Sequence, residues 1–239
     1  MSTFNYLGED SDEFGLRIND GVTFVSPEND IEYVEVKGYD GDIPIDNERL
    51  KTVIKPVKVT MFPTDGETLS EQVSNISNWL KSSKKYSELI FSNDDEYTYL
   101  ATCYEQYNVD QLLIRYGEAT INFKMMPYKF LASGLFESQL KSTITNTTNR
   151  IAKPKLTIKG SGDVTVKIGD SVLTVKGMDG GCVIDTLYSQ ATNLDGSRAI
   201  WDKVTTWPLP TIAPGKQTVT ITGNVTDIRI IPRWEVIVG

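Results

Sequence analysis

Carboxylates are the most plentiful reactive side chains here: 32 aspartates and glutamates stand against 24 lysines and arginines, with 11 tyrosines, 2 cysteines and no histidine in 239 residues. The missing histidine removes Ser-His-Asp and Cys-His-Asn catalysis, His-ligated zinc and imidazole acid–base chemistry together. Carboxylate, lysine and tyrosine chemistry remain. No carboxylate pair sits among apolar neighbours that would raise one of its pKa values into the range of a glycosidase acid. Neither glycine-rich phosphate cradle, the dinucleotide-binding one or the P-loop, occurs. Asp40-Gly41-Asp42 begins like a calcium loop, but the further acidic ligands do not follow. Cys103 and Cys182 have no CxxC or Cys/His spacing, which reads as two buried thiols. The expectation is no catalytic, cofactor-binding or metal-binding residue, and no enzyme.

The net charge of -8 and pI near 4.7 argue against a nucleic-acid partner, which needs a clustered basic surface. The densest basic patch, Lys81 to Lys85, follows a helical stretch, where cations favour the C-terminal dipole. Glu9, Asp10, Asp12 and Glu13 occupy the place of a basic signal-peptide start. No apolar run approaches the ~20 residues of a membrane-spanning helix. The expectation is synthesis in a cytoplasm without export by the usual route, and no membrane partner.

The elements that would position any site are mostly strands. Ala119, Ile121, Phe123 and Met125 alternate with Thr120, Asn122 and Lys124, a half-buried strand expected to stop at Pro127, which has no N–H to donate. Earlier strands are expected at Phe4 to Leu7, Phe14 to Ile18, Val22 to Val25, Ile31 to Val36, Val53 to Met61 and from Leu89. A long strand is expected to place Tyr97, Tyr99, Ala101, Cys103, Glu105 and Tyr107 on one face, and Gln111 to Tyr116 to form a hairpin turning at Gly117. Leu69, Val73, Ile76 and Leu80 form one helical stripe, and Thr68-Leu69-Ser70-Glu71 is a capping box, so a helix over about 69–82 should cover the sheet.

After Phe130 the composition shifts to short Thr/Gly/Val-rich strands: Lys155 to Lys159, Val164 to Ile168, Val172 to Lys176, Cys182 to Thr186, Gln217 to Thr222, Ile228 to Ile231 and Glu235 to Val238. Turn residues at each boundary point to a β-sandwich. The fold expected is mainly β, with an N-terminal sheet domain and covering helix over 1–131 and a C-terminal sandwich, jelly-roll or galectin-like, over 132–239. Asn146-Thr147-Thr148 matches a glycosylation sequon, without an implied use in a chain that lacks a secretory signal. Ser197 to Pro214 is the main irregular segment, either functional or packed over a sandwich end.

Two surfaces are candidates for binding. The strand Ile31 to Val36 is apolar on both faces, so Ile31, Tyr33, Val34, Val36 and the following Tyr39 are candidates for a subunit interface. Trp201, Trp207 and Trp234 are candidates for stacking on sugar rings, with Asn193, Asp195 and Arg198 close by in sequence; the tyrosine-rich face from Tyr97 to Tyr107 reads first as core-edge packing and second as a platform for sugar or protein.

Several short stretches follow one another along the chain: Asp12-Glu13-Phe14-Gly15-Leu16, Gly38-Tyr39-Asp40-Gly41-Asp42, Asn78-Trp79-Leu80 and Phe123-Lys124-Met125-Met126-Pro127-Tyr128. They continue through Cys182-Val183-Ile184-Asp185, Trp207-Pro208-Leu209, Ile212-Ala213-Pro214-Gly215 and Thr222-Gly223 to Arg233-Trp234. This order of features resembles the distal tail protein family of long, non-contractile-tailed bacteriophages. Gln217 departs from the asparagine more often expected there. The resemblance implies a structural virion protein at the tail tip: a homo-oligomeric hub ring, commonly a hexamer, built by the first domain. It implies a tail tube protein on one side, and a tail-associated lysin, tail fibre or receptor-binding protein on the other. The chain resembles the short form, without an inserted carbohydrate-binding module. The competing reading is an adhesion protein that recognises host cell-wall saccharide.

Overall fold

The computed structural model describes residues 2–19, 25–106, 109–113 and 116–239. Val22 to Phe24 of one expected strand, Tyr107 of the tyrosine face, and residues 114–115 of the expected hairpin lie outside the described residues. The chain divides into two compact units, one comprising Met1–Lys129 with Ile237–Gly239 and the other Phe130–Val236.

The first unit contains β1 (Phe4–Tyr6), β2 (Glu9–Asp10), β3 (Leu16–Ile18), β4 (Asn29–Glu35), β5 (Asp42–Leu50), β6 (Val53–Met61), α1 (Leu69–Leu80), β7 (Ser87–Phe91), β8 (Tyr97–Thr102), β9 (Val109–Leu113) and most of β10 (Tyr116–Leu131). The sheet runs β2-β1-β7-β8-β10-β6-β3, with β9 beside the start of β10. Its longest ladder joins β10 to β6, from Gly117 opposite Met61 to Met125 opposite Val53. The Ile18 N–H donates to the Ser2 carbonyl at 2.8 Å, bridging β3 to the residues just before β1. The sheet thereby closes on itself as a barrel, the arrangement that leaves fewest exposed edges.

Period-2 alternation fills the interior: Val57, Val59 and Met61 from β6, Ile121, Phe123 and Met125 from β10, Leu89 and Phe91 from β7, and Tyr99 and Ala101 from β8 share one core with Phe4 and Tyr6. The helix begins with the expected capping box at Thr68 and Glu71 and ends at Leu80, capped by Lys81. It turns Trp79 into the core, where the ring stacks on Phe14 and Phe4 at centroid distances of 4.2 and 5.7 Å. Two expectations about strands are corrected. The β10 strand does not stop at Pro127 but continues to Leu131. Its ladder to β6 has already ended at Met125, and Pro127 takes part through its carbonyl, accepting from the Val238 N–H at 3.0 Å. The tyrosine-rich strand ends at Thr102, short of the expected run to Tyr107, while Tyr99 is buried in the core as the packing reading expects.

The second unit contains β11 (Ser138–Gln139), β12 (Thr143–Asn146), β13 (Lys155–Ile168), β14 (Ser171–Met178), β15 (Gly181–Asp185), β16 (Gln190–Asn193) and β17 (Gly215–Ile231). The expected strands at 155–159 and 164–168 are one strand, β13, and those at 217–222 and 228–231 are one strand, β17. These two pair along most of their lengths and change partners midway. β13 pairs β15 through Lys155–Lys159 and β14 through 162–168. β17 pairs β12 near Gly215 and β11 near Ile230. Register shifts at Lys159/Gly160 and Ser161/Thr165 mark the change.

Glycines make this corner sterically feasible. A Cβ on Gly160 would lie 2.1 Å from the Asn224 carbonyl oxygen, and one on Gly223, whose φ is 106°, would lie 2.2 Å from that of Asp163. Glycine therefore marks bulges within continuous strands here, not the turns expected from the sequence. Leu156 and Ile158 from one half of β13 and Val164, Val166 and Ile168 from the other enter a single core. Asn146 is buried, donating to the carbonyls of Arg150 and Ile212 at 2.7 and 3.1 Å, so its side chain holds the loop and is not presented as a glycan acceptor. The Ser197 to Pro214 segment is pinned by buried Ile200, Leu209 and Ile212.

Candidate functional site: an exposed two-stranded arm

Among the described residues β4 and β5 pair only with each other, from Asn29 opposite Leu50 to Glu35 opposite Asp42. At the base, the Lys51 N–H donates to the Glu28 carbonyl at 2.8 Å and Arg49 pairs with Asp30 at 2.5 Å. At the tip, Gly38 and Gly41 adopt φ of 86° and 87°, the left-handed conformation that glycine takes without a Cβ clash. The register puts Ile31, Tyr33 and Pro44 on one face with Glu35, Asp42 and Asp46, and Val34, Ile43 and Ile45 on the other with Glu32.

None of these side chains belongs to a core cluster among the described residues, and Tyr33 and Tyr39 are 64% and 61% exposed. An isolated two-stranded ribbon is marginal in water, and this one is apolar on both faces. All five interface candidates, Ile31, Tyr33, Val34, Val36 and Tyr39, fall on this arm or at its tip. The sequence missed Ile43 and Ile45, whose period-2 spacing could have flagged them but is interrupted by Pro44.

The sugar-contact candidates do not assemble. Trp201 and Trp207 lie together, ring centroids 6.1 Å apart, with Trp207 72% exposed. Trp234 is withdrawn from that surface: it is buried in the second unit, and its ring packs so closely on Gly134 that a Cβ there would lie 2.8 Å from it. The Asn193 and Asp195 side chains accept from the backbone N–H groups of Arg198 and Ser197 at 3.0 and 2.8 Å, closing their own turn. The polar groups that would orient a sugar beside the indoles are thus engaged locally.

A buried lysine lies in the barrel. Lys55 is on the core face of β6, a position its alternation with Val53 and Val57 makes legible in retrospect. Its ammonium stands 4.4 Å from the Phe91 ring centroid and 5.5 Å from that of Tyr99. Nearby, Lys129 donates to Asp94 and to the Tyr99 hydroxyl, both at 3.1 Å. Burial is the main cause lowering the Lys55 pKa from 10.5 to about 8, with the Asp94 charge opposing it. Because the folded pKa lies below the unfolded one, the unfolded chain binds more protons between about pH 8 and 10.5, and folding gains stability as pH rises through that window. The buried Cys103 thiol, pushed up to about 11, and the raised Tyr99 act in the opposite sense at alkaline pH, so the effect is read as a difference. Relative to Lys55→Met, the wild-type chain should gain about 1–2 kcal/mol in urea unfolding between pH 7.5 and 9.5. A constant difference would contradict the assignment.

The barrel thus packs one helix into its core and carries a two-stranded arm outside it. Residues 6–125 match the phage tail protein RIFT-related domain. The chain belongs to that family, which makes it a structural component of a phage tail and not an enzyme. Its fold is similar to that in the crystal structure of SPP1 Dit (gp 19.1), with a TM-score of 0.69 at 15% sequence identity, covering 99% of this chain and 100% of that one. That protein is described as a paradigm of the hub adsorption apparatus in Gram-positive infecting phages. No curated protein sequence matches. The resemblance to distal tail proteins and the mainly β fold read from the sequence are borne out. No helix among the described residues is long and apolar enough to cross a membrane.

Proposed function

We propose that the chain forms the hub ring, a hexamer, at the distal end of a non-contractile phage tail. The ring links the tail tube protein to the tail-tip lysin, fibre or receptor-binding component. The observation that carries this reading is the arm: a ribbon apolar on both faces gains stability only against another surface, and a cyclic ring supplies one because each copy meets its neighbour through two different patches. Burying Tyr33, Ile43 or Ile45 in such a contact contributes about 1.5–3 kcal/mol each. A permanent ring needs an interface on the order of 2,000 Å² or more, so the arm acts with adjoining barrel surface.

Replacing residues 31–48 by a short Gly/Ser turn should leave a folded protein that stays monomeric at concentrations where the wild-type chain forms closed rings, as read by analytical ultracentrifugation. Rings of unchanged stability without the arm would overturn this use of it.

A further inference from the structure

A cleft of ≈ 420 Å³ opens on the first unit beside the C-terminal end of α1, lined in part by Lys81, Lys84, Lys124, Tyr86, Tyr104 and the buried Cys103. Lysines at a helix C-terminus have a local explanation in the helix dipole. Lys124 does not: it comes from β10, and its ammonium rests 5.3 Å from the Tyr104 ring centroid. The nearby Glu105 is already held by the Tyr104 hydroxyl and the Asn122 amide, both at 2.8 Å. In a chain of net charge -8, three lysines around one tyrosine-walled cleft form a local field of opposite sign.

The arm is the complement. Asp30, Glu32, Glu35, Asp40, Asp42, Asp46 and Glu48 stand in and between its strands against only Lys37 and Arg49. Glu35 lies directly opposite Asp42 in the ladder, a like-charge pair that destabilises a ribbon. Among the described residues neither carboxylate has an ion pair, and Arg49 is already engaged with Asp30. The same face carries Tyr33, Ile31 and Pro44. We infer that the lysine cleft of one copy receives the Glu35/Asp42 end of the arm of a second copy, with the carboxylates meeting the lysines and Tyr33 and Pro44 packing toward Tyr86 and Tyr104. This rests on the ring reading and identifies the receiving surface: the two patches differ, as a closed cyclic contact requires.

The test is charge exchange in the full chain. Lys84→Glu with Lys124→Glu, and separately Glu35→Lys with Asp42→Lys, should each raise the concentration at half-assembly at least about tenfold at low salt, since like charges are brought together. Combining all four substitutions should restore assembly. Lys84→Glu alone, at an exposed position, keeps the test valid if Lys124→Glu disturbs the barrel. Carbodiimide cross-linking of mixed light and heavy-isotope wild-type chains should join Glu35 or Asp42 of one copy to Lys81, Lys84 or Lys124 of another. If the reversed variants assemble as the wild type does, or the combined variant fails to recover and no such cross-links form, the cleft assignment is overturned while the ring stands. A wild-type chain that is monomeric at every concentration, with and without the tail tube protein, overturns both.

Discussion

Arg233→Ala should destabilise the second unit by about 3–5 kcal/mol, because it leaves a buried carboxylate without its counter-charge. The Arg233 guanidinium meets Asp185 in a two-pronged arrangement, Nη1 to Oδ1 at 2.5 Å and Nη2 to Oδ2 at 2.8 Å. Both side chains are largely buried, at 11% and 9% exposure. Asp185 ends β15, and Arg233 follows β17 with its N–H donating to the Gly134 carbonyl at 2.8 Å, so the pair ties two separate stretches of the unit together. Removing both charges at once, as in Asp185→Leu with Arg233→Met, should cost much less than either single truncation, because no unpaired ion remains. The exposed pairs of Arg229 with Asp227 and Glu137 provide the contrast, and Arg229→Ala should change stability by about 0–1 kcal/mol. Calorimetry can resolve these values; a loss below about 1 kcal/mol for Arg233→Ala would contradict the account.

Trp79→Ala should cost the first unit about 3–5 kcal/mol. The indole lies nearly parallel to Phe14, at an interplanar angle of 5°, and to Phe4 at 12°, and its Nε1 donates to the Tyr6 carbonyl at 3.0 Å. Truncation therefore opens a cavity where helix and barrel meet and leaves a buried carbonyl without its donor. Trp79→Phe keeps most of the packing and loses the hydrogen bond, for an expected cost of about 1–3 kcal/mol. Urea unfolding of the two variants separates these contributions; equal losses would show that packing on Phe14 and Phe4 matters little.

Much of the barrel was legible because its strands bury one face: the alternation through Ile121, Phe123 and Met125 and the stripe through Leu69, Val73, Ile76 and Leu80 report the core directly. Closure by Ser2 and Ile18 was not legible, since a single backbone hydrogen bond leaves no side-chain pattern. The second unit misled for a physical reason. Glycine at 160 and 223 reads as punctuation, yet it sits there so that two long strands can bend past each other's backbone. Lys55 was overlooked because a lysine among valines breaks the apolar count, although its parity places it inside. The two-sided apolarity of Ile31 to Val36 was legible too, and the structure places that stretch on an exposed ribbon. What the sequence did not convey is that the chain itself leaves the arm bare among the described residues. Trp234 shows the converse, an aromatic selected for its type that serves as core.

The ring is the central claim, and the native mass of the purified wild-type chain across a concentration series, followed by particle images of any large species, tests it most directly. The account predicts a closed ring of about six chains whose population rises with concentration and falls as salt is added. A species that remains monomeric at the highest concentration, with and without the tail tube protein, would contradict it.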